Sequence, residues 1–188
     1  MCVLIIKREG ANLPPMGVLK ACAKANPHGC GFATKDKVFK SLNFVLFCNE
    51  LHKVKKEEAC LIHFRFATHG SVCVDNCHPF YDGETGISFA HNGVLDIESK
   101  DDKTDSEIFF REKVLPTIKK FGIESRKTYN VIEKWRGSSK FAFLTSSGEI
   151  FKFGTFVEKY GCLFSNKRWF AYMHRDSSFY PSFMCESC

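Results

Sequence analysis

No apolar run in this sequence reaches the roughly 18–20 residues that a membrane-spanning helix needs, which points away from an integral helical membrane protein. The start lacks the basic, then apolar, then small-residue order of a secretory leader. Internal repeats, low-complexity tracts and linkers are also missing, so residues 1–188 are expected to form a single domain. Charge of one sign is nowhere concentrated. The net charge is +6 but dispersed, and the one tight cluster, Lys53, Lys55 and Lys56, runs straight into Glu57 and Glu58. Such a cluster reads as a solvated helix end, and it argues against a nucleic-acid partner. Without a leader, the ten cysteines are expected to be reduced thiols in a cytoplasm, not a secreted disulfide framework.

What is present is an ordinary soluble composition, 44% apolar and 26% charged, with one bias: 20 of 188 residues are phenylalanine. That bias predicts aromatic packing between layers. The chain opens Met1-Cys2-Val3-Leu4-Ile5-Ile6, a cysteine followed at once by a buried-strand pattern. Cys2 is small enough for removal of the initiator methionine. It would then carry a thiol and a free α-amine, whose ordinary pKa of roughly 7.7–8.0 suits a built-in base. The plainer reading is a small hydrophobe opening a core strand.

Further along, Pro14 and Pro15 suit the first turn of a helix carrying Val18, Leu19, Cys22 and Ala23 and ending at Asn26-Pro27. A glycine-rich turn, residues 26–31, leads into a hairpin around Lys35-Asp36-Lys37. A second helix is expected over about 43–54 with Asn43 as its cap. Residues 59–67 alternate as a strand, with Cys60, Ile62, Phe64 and Phe66 on one face and Leu61, His63 and Arg65 on the other. An Arg in so apolar a strand needs a carboxylate partner, from the protein or a ligand. Gly86–Ala90 reads as a strand ending at His91-Asn92-Gly93. Asp105-Ser106 opens a helix that Pro116 breaks or restarts, and Tyr129–Trp135 forms another, closed by Gly137. Short strands are expected at 140–145, 150–153, 162–164 and 168–173. Strands joined by short connections, with helices grouped between them, predict an α+β protein with antiparallel pairing.

Four segments stand together in order: Met1-Cys2; His63-Phe64-Arg65-Phe66-Ala67-Thr68-His69-Gly70; His91-Asn92-Gly93; and Asp105-Ser106-Glu107. In these the chain resembles the class II glutamine amidotransferases, the N-terminal-nucleophile (Ntn) hydrolases with a processed cysteine. The resemblance implies a four-layer αββα sandwich of two mainly antiparallel sheets. It implies hydrolysis of the side-chain amide of glutamine, or of a γ-glutamyl amide, through a Cys2 thioester, with no cofactor and no metal. Cys2 would be the nucleophile, and Asn92 and Gly93 the oxyanion hole. Arg65 would hold the substrate carboxylate, Asp105 its ammonium, and Thr68 and His69 the rim. The released ammonia implies either a separate synthase subunit as partner or a stand-alone amidohydrolase. Two departures stand out: His28 occupies a position that is usually acidic, and Phe66 one that is often Trp.

Each piece also has a plain structural reading. Asp105 alone suits a helix N-cap, Asn92-Gly93 a hairpin turn, and His63, His69 and His91 satisfied structural histidines. From another class comes a zinc-binding or non-catalytic interaction protein on the same fold. Cys73-x-x-x-Cys77-His78 and Cys185-x-x-Cys188, with His69, have ligand-like spacing. The tail Phe179–Met184 is expected to dock on a partner or pack on its own core.

Overall fold

The computed structural model describes residues 2–68, 70–98 and 102–173. Met1, His69, the aromatic tail and the Cys185/Cys188 pair lie outside the described residues. The elements in order are β1 (Val3–Lys7), α1 (Met16–Ala25), β2 (Cys30–Ala33), β3 (Val38–Ser41), α2 (Phe44–Leu51), β4 (Cys60–Phe64), β5 (Phe80–Asp82) and β6 (Ile87–Asn92). They continue with α3 (Asp105–Ile108), a π-helical turn (Phe109–Val114), α4 (Leu115–Phe121), α5 (Arg126–Arg136), β7 (Lys140–Leu144), β8 (Ile150–Phe153), β9 (Val157–Lys159), β10 (Cys162–Phe164) and α6 (Phe170–Met173).

Two antiparallel sheets form, ordered β3-β2-β4-β1-β10-β9 and β5-β6-β7-β8. The strand that follows Cys2 is central, paired with β4 and β10. All five of its residues are buried, because both faces are covered. Val3 and Ile5 pack with α1, α2 and the β4 residues Cys60, Ile62 and Phe64. Leu4 and Ile6 pack with Ala90, Ala142 and Leu144 of the second sheet. On that sheet Phe89, Phe141 and Phe143 point the other way, into the helices, against Phe109 and Phe110. The Phe89–Phe110 and Phe109–Phe141 rings stack at 5.1 and 5.0 Å. Alternation along each strand therefore yields three apolar layers between four layers of structure. Phenylalanines fill the two sheet–helix layers, and aliphatic and alanine side chains fill the sheet–sheet layer.

Several expectations need correction. The strand expected over 59–67 ends at Phe64, where its partners Val3 and Cys30 end, and Arg65 sits in the loop beyond. Residues 168–173 form no strand. Trp169 is fully buried, its Nε1 donates to the Asn166 carbonyl (3.1 Å), and a helical turn then carries Phe170 and Met173 onto the α1 side of the core. Pro116 restarts the helix, one of the two outcomes expected: it sits in the first turn of α4, directly after the π-helical turn. The cap of α3 is Thr104, whose hydroxyl accepts from the Glu107 N–H (3.2 Å), not Asp105. Asn43 does cap α2, accepting from Val45 and Leu46. The three-residue strands β5 and β9 were too short for their period to show. Among the described residues no helix is long and apolar enough to cross a membrane.

Lys7 closes β1 in an unusual way. It is fully buried, and its Nζ donates to the carbonyls of Lys55 (3.0 Å), Lys56 (2.9 Å) and Glu58 (2.6 Å). The ammonium thus fixes the loop before β4 to the end of β1. Charge-assisted hydrogen bonds of this kind contribute about 1.5–3 kcal/mol. Lys7→Met is expected to lower unfolding stability by about 2–3 kcal/mol. Urea denaturation measures this, and an unchanged midpoint would show the clamp to be energetically idle.

Candidate active site

Cys2 lies half-buried at the head of β1. Its Sγ accepts from the Phe66 N–H (3.3 Å) and donates to the Phe66 carbonyl (3.6 Å). Its own carbonyl accepts from the Asn166 amide (2.8 Å). The loop after β4 is thereby laid across the thiol. Burial raises the thiol above its ordinary pKa, and the Phe66 N–H offsets only part of this.

That loop is positioned by the glycine-rich turn. Arg65 N donates to the Gly29 carbonyl (2.8 Å), and His28 N donates to the Arg65 carbonyl (3.0 Å). Gly29 has φ +118°, and a Cβ there would collide with Cys77 Sγ, so no other residue fits without strain. His28, the departure from an acidic residue, accepts from the Ala67 N–H at Nδ1 (2.9 Å) and packs on the Phe66 ring (5.1 Å). The Arg65 guanidinium donates to the Ser71 (2.7 Å) and Gly70 (3.4 Å) carbonyls. Ser71 is in turn held by Asp102, through its N–H (2.9 Å) and its hydroxyl, and these bonds keep the Asp102 carboxyl below its usual range.

The third segment is the end of β6. Asn92 is buried at the last strand position, not in a hairpin turn, and its amide donates to Ser165 Oγ (2.7 Å). Ser165 Oγ also accepts from Leu4 N (2.9 Å). One hydroxyl therefore joins β1, the strand that follows Cys2, to Asn92. Gly93 is confined: a Cβ there would strike Ser139 Oγ and lie 2.7 Å from His91 Nε2. Asp105 is buried, with Oδ2 accepting from Leu95 N (2.8 Å) and Oδ1 accepting from Ser106 N (2.8 Å).

Cys2, Arg65, Thr68, Gly93 and Asp105 line one cleft, together with Phe66, His78, His91 and Ser106. Asn92 stands behind it in the β6 ladder. The cleft is nearly filled, at about 20 Å³, room for one water. A larger cavity of about 430 Å³, bounded by Asn26, Leu42 and Phe64, shares no lining residue with it. Two of the cleft's lining residues, His78 and His91, and His63, whose ring packs on His78 at 4.3 Å, form a group of three buried imidazoles. Burial pushes His63 and His91 down to about 3 and His78 well below its ordinary value. Among the described residues no cluster of His, Cys, Asp and Glu is arranged to hold a metal ion.

Reasoning from the sequence missed Ser106, Ser165 and Asn166 as site residues, and Asp102 as the anchor of the Arg65 loop. Ser106 opens a helix and Ser165 and Asn166 lie in a short loop, and in neither setting does a single serine or asparagine carry a periodic signal, so only position in or beside the recognised motifs could have marked them.

No family model matches the sequence. Over 102 residues, 50% of this chain, the sequence is 32% identical to a glutamine–fructose-6-phosphate aminotransferase (isomerizing) from Methanococcus maripaludis, and that span is 17% of the relative. The structure overlays on glutamine phosphoribosylpyrophosphate amidotransferase from B. subtilis, solved with ADP and GMP, with a TM-score of 0.54 at 17% identity. The overlay covers 92% of this chain and 43% of that one. The chain thus spans less than half the length of either relative. Its fold is that of the Ntn-hydrolase amidotransferases, and the chain resembles the class II glutamine amidotransferases in sequence and in fold. Both relatives are glutamine amidotransferases.

The thiols of this region differ in a measurable way. Cys73 is half-exposed, and the Ser71 hydroxyl and the Asn76 and Asp75 N–H groups lower its pKa. Cys2 is raised. The thiolate is the reactive form. In chain that keeps Met1, iodoacetamide at pH 7 is expected to alkylate Cys73 before Cys2, with Cys2 catching up only as pH rises past the ordinary thiol range. Peptide mass spectrometry ranks the two rates, and faster labelling of Cys2 would contradict the electrostatics described.

Proposed function

We propose that this chain hydrolyses the side-chain amide of glutamine, or of a γ-glutamyl amide, through a thioester on Cys2. The observation that carries the proposal is the cleft shared by Cys2, Arg65, Gly93 and Asp105, with Asn92 tied to the nucleophile's strand through Ser165. Removal of Met1 frees the Cys2 α-amine, which takes the thiol proton as sulfur attacks the amide carbon. The oxyanion forms against the Asn92 side-chain amide and the Gly93 N–H. Collapse expels ammonia, which leaves with the proton from the amine. Water then attacks the thioester and releases glutamate.

Arg65 takes the substrate's α-carboxylate as a bidentate partner, exchanging it for the loop carbonyls it now binds. Asp105 takes the ammonium, and Thr68 and His69 complete the rim. Because the cleft holds about one water's volume, its lining has to open for glutamine to enter. A reducing cytoplasm would keep the thiol of Cys2 available for this chemistry. The proposal needs no cofactor and no metal. The ammonia goes to a synthase on a separate chain or elsewhere in a longer one, and glutaminase turnover in isolation is weak until that partner binds.

Mature protein should begin at Cys2 by intact mass, and a glutamine-analogue alkylator should add once, at that residue. Cys2→Ala is expected to abolish ammonia release with the fold intact. Arg65→Ala should mainly raise KM. Asn92→Ala should lower kcat by about 10²–10³. Active enzyme that keeps Met1, or an unchanged KM in Arg65→Ala, would overturn the corresponding assignment. Ammonia release by the chain alone at tens per second, a usual enzymatic turnover, would remove the need for a partner.

A further inference from the structure

Ser106 carries no role in the mechanism above, yet it is buried at the cleft wall and bonded on three sides. Its N–H donates to Asp105 Oδ1 (2.8 Å), its hydroxyl donates to the same oxygen (3.2 Å), and Oγ lies 2.7 Å from His91 Nδ1. A carboxylate only accepts, so the Ser106 proton belongs to the Asp105 bond. Oγ is then the acceptor toward His91, and the His91 ring carries its hydrogen on Nδ1. His91 Nε2 is left without a partner among the described residues, and a Cβ on Gly93 would lie 2.7 Å from it. His91 is held a second time through its carbonyl, which accepts from His63 Nε2 (3.0 Å). Two residues past Gly93, Leu95 N donates to the other Asp105 oxygen (2.8 Å).

The stretch His91–Leu95 is therefore fastened at both ends to one carboxylate, directly at Leu95 and through Ser106 at His91. Asn92 and Gly93 lie between the two fastenings. We propose that Ser106 is a positioning residue, which with Asp105 fixes the His91 tautomer and so holds Asn92 and Gly93 where the oxyanion forms. The tautomer matters because the opposite form would bury an Nε2–H with no acceptor among the described residues. It would also turn Nδ1 from donor to acceptor toward Ser106, so the ring that begins the 91–95 stretch would lose its present fastening. The fixed tautomer also leaves Ser106 unable to rotate away without stranding the His91 N–H, a buried donor that costs free energy when unpaired. The kinetic part of this inference rests on the amidohydrolase reading, and the structural part does not.

The test has two arms on the full chain. In the first, ring-15N histidine NMR of the wild-type protein near pH 7 assigns the His91 tautomer, with the resonance identified by its loss in His91→Gln. The Nδ1–H form is expected, and an Nε2–H form overturns the proposal without any Ser106 variant. In the second arm, Ser106→Ala should lower kcat for glutamine about tenfold with KM changed less than about twofold, since one hydrogen bond is of that order. Ser106→Thr, which keeps the hydroxyl, should restore most of the rate. Ser106→Ala with wild-type kcat, or a rise in KM at constant kcat, overturns positioning. If wild-type protein releases no ammonia from glutamine, the amidohydrolase reading fails, and the tautomer measurement still decides the structural arm.

Discussion

The burial of β1 on both faces is the constraint on which the cleft depends. Val3 and Ile5 commit one face to the helices, while Leu4 and Ile6 commit the other to the second sheet. A strand fixed in this way cannot slip by one residue without reversing every side chain. Cys2 consequently emerges at one point only, at the edge of the sandwich where β4 and β6 also end. Ser165 makes that edge continuous: its hydroxyl takes the Leu4 N–H from one sheet and the Asn92 amide from the other. Asn166, the next residue, holds the Cys2 carbonyl. The chemistry-bearing atoms therefore sit on two loops and a strand end that the rigid core aims at one spot.

Such a site keeps its polar groups in order by hydrogen bonds to main chain more than by ion pairs. Arg65 binds carbonyls, Asp105 binds N–H groups, and the thiol of Cys2 is bracketed by one peptide unit of Phe66. The ion pairs of the molecule, such as Lys37–Glu50 and Lys119–Glu84, lie on the surface. There they contribute little to stability.

Much of this arrangement was legible in the sequence, for identifiable reasons. The run Val3–Ile6 carries its own burial, and a cysteine before such a run is rare enough to mark. Alternation over residues 60–64 gave the faces of β4 correctly, with His63 turned toward the second sheet and Phe64 toward the helices. Alternation overran at Arg65 because the pattern continues where the hydrogen-bonding partners stop. At 168–173 an apolar run was mistaken for a strand, because short apolar stretches do not distinguish strand from helix. Trp169, Phe170 and Met173 satisfy a helical turn against α1 equally well. Serines 106 and 165 were illegible for another reason. Each acts through one hydroxyl whose partners are distant or known only from the fold, and no spacing rule encodes that.

The three imidazoles at the cleft bear on how a proton could move there. Burial is the main cause that takes His63 and His91 to about 3; the His91 carbonyl opposes it at His63, while the Arg65 and Lys40 charges there, and His63 and Lys140 at His91, push the same way as burial. A group with so low a pKa is neutral near pH 7 and too weak a base to withdraw a thiol proton efficiently, since general-base strength follows pKa. His78 lines the cleft with neither ring nitrogen partnered among the described residues, but it is shifted the same way and further. The carboxylate of Asp105 is occupied on both oxygens by N–H donors. Under the proposed mechanism the thiol proton goes instead to the α-amine that removal of Met1 would free, a kind of group whose ordinary pKa is roughly 7.7–8.0 and which is tethered on the same residue as the sulfur.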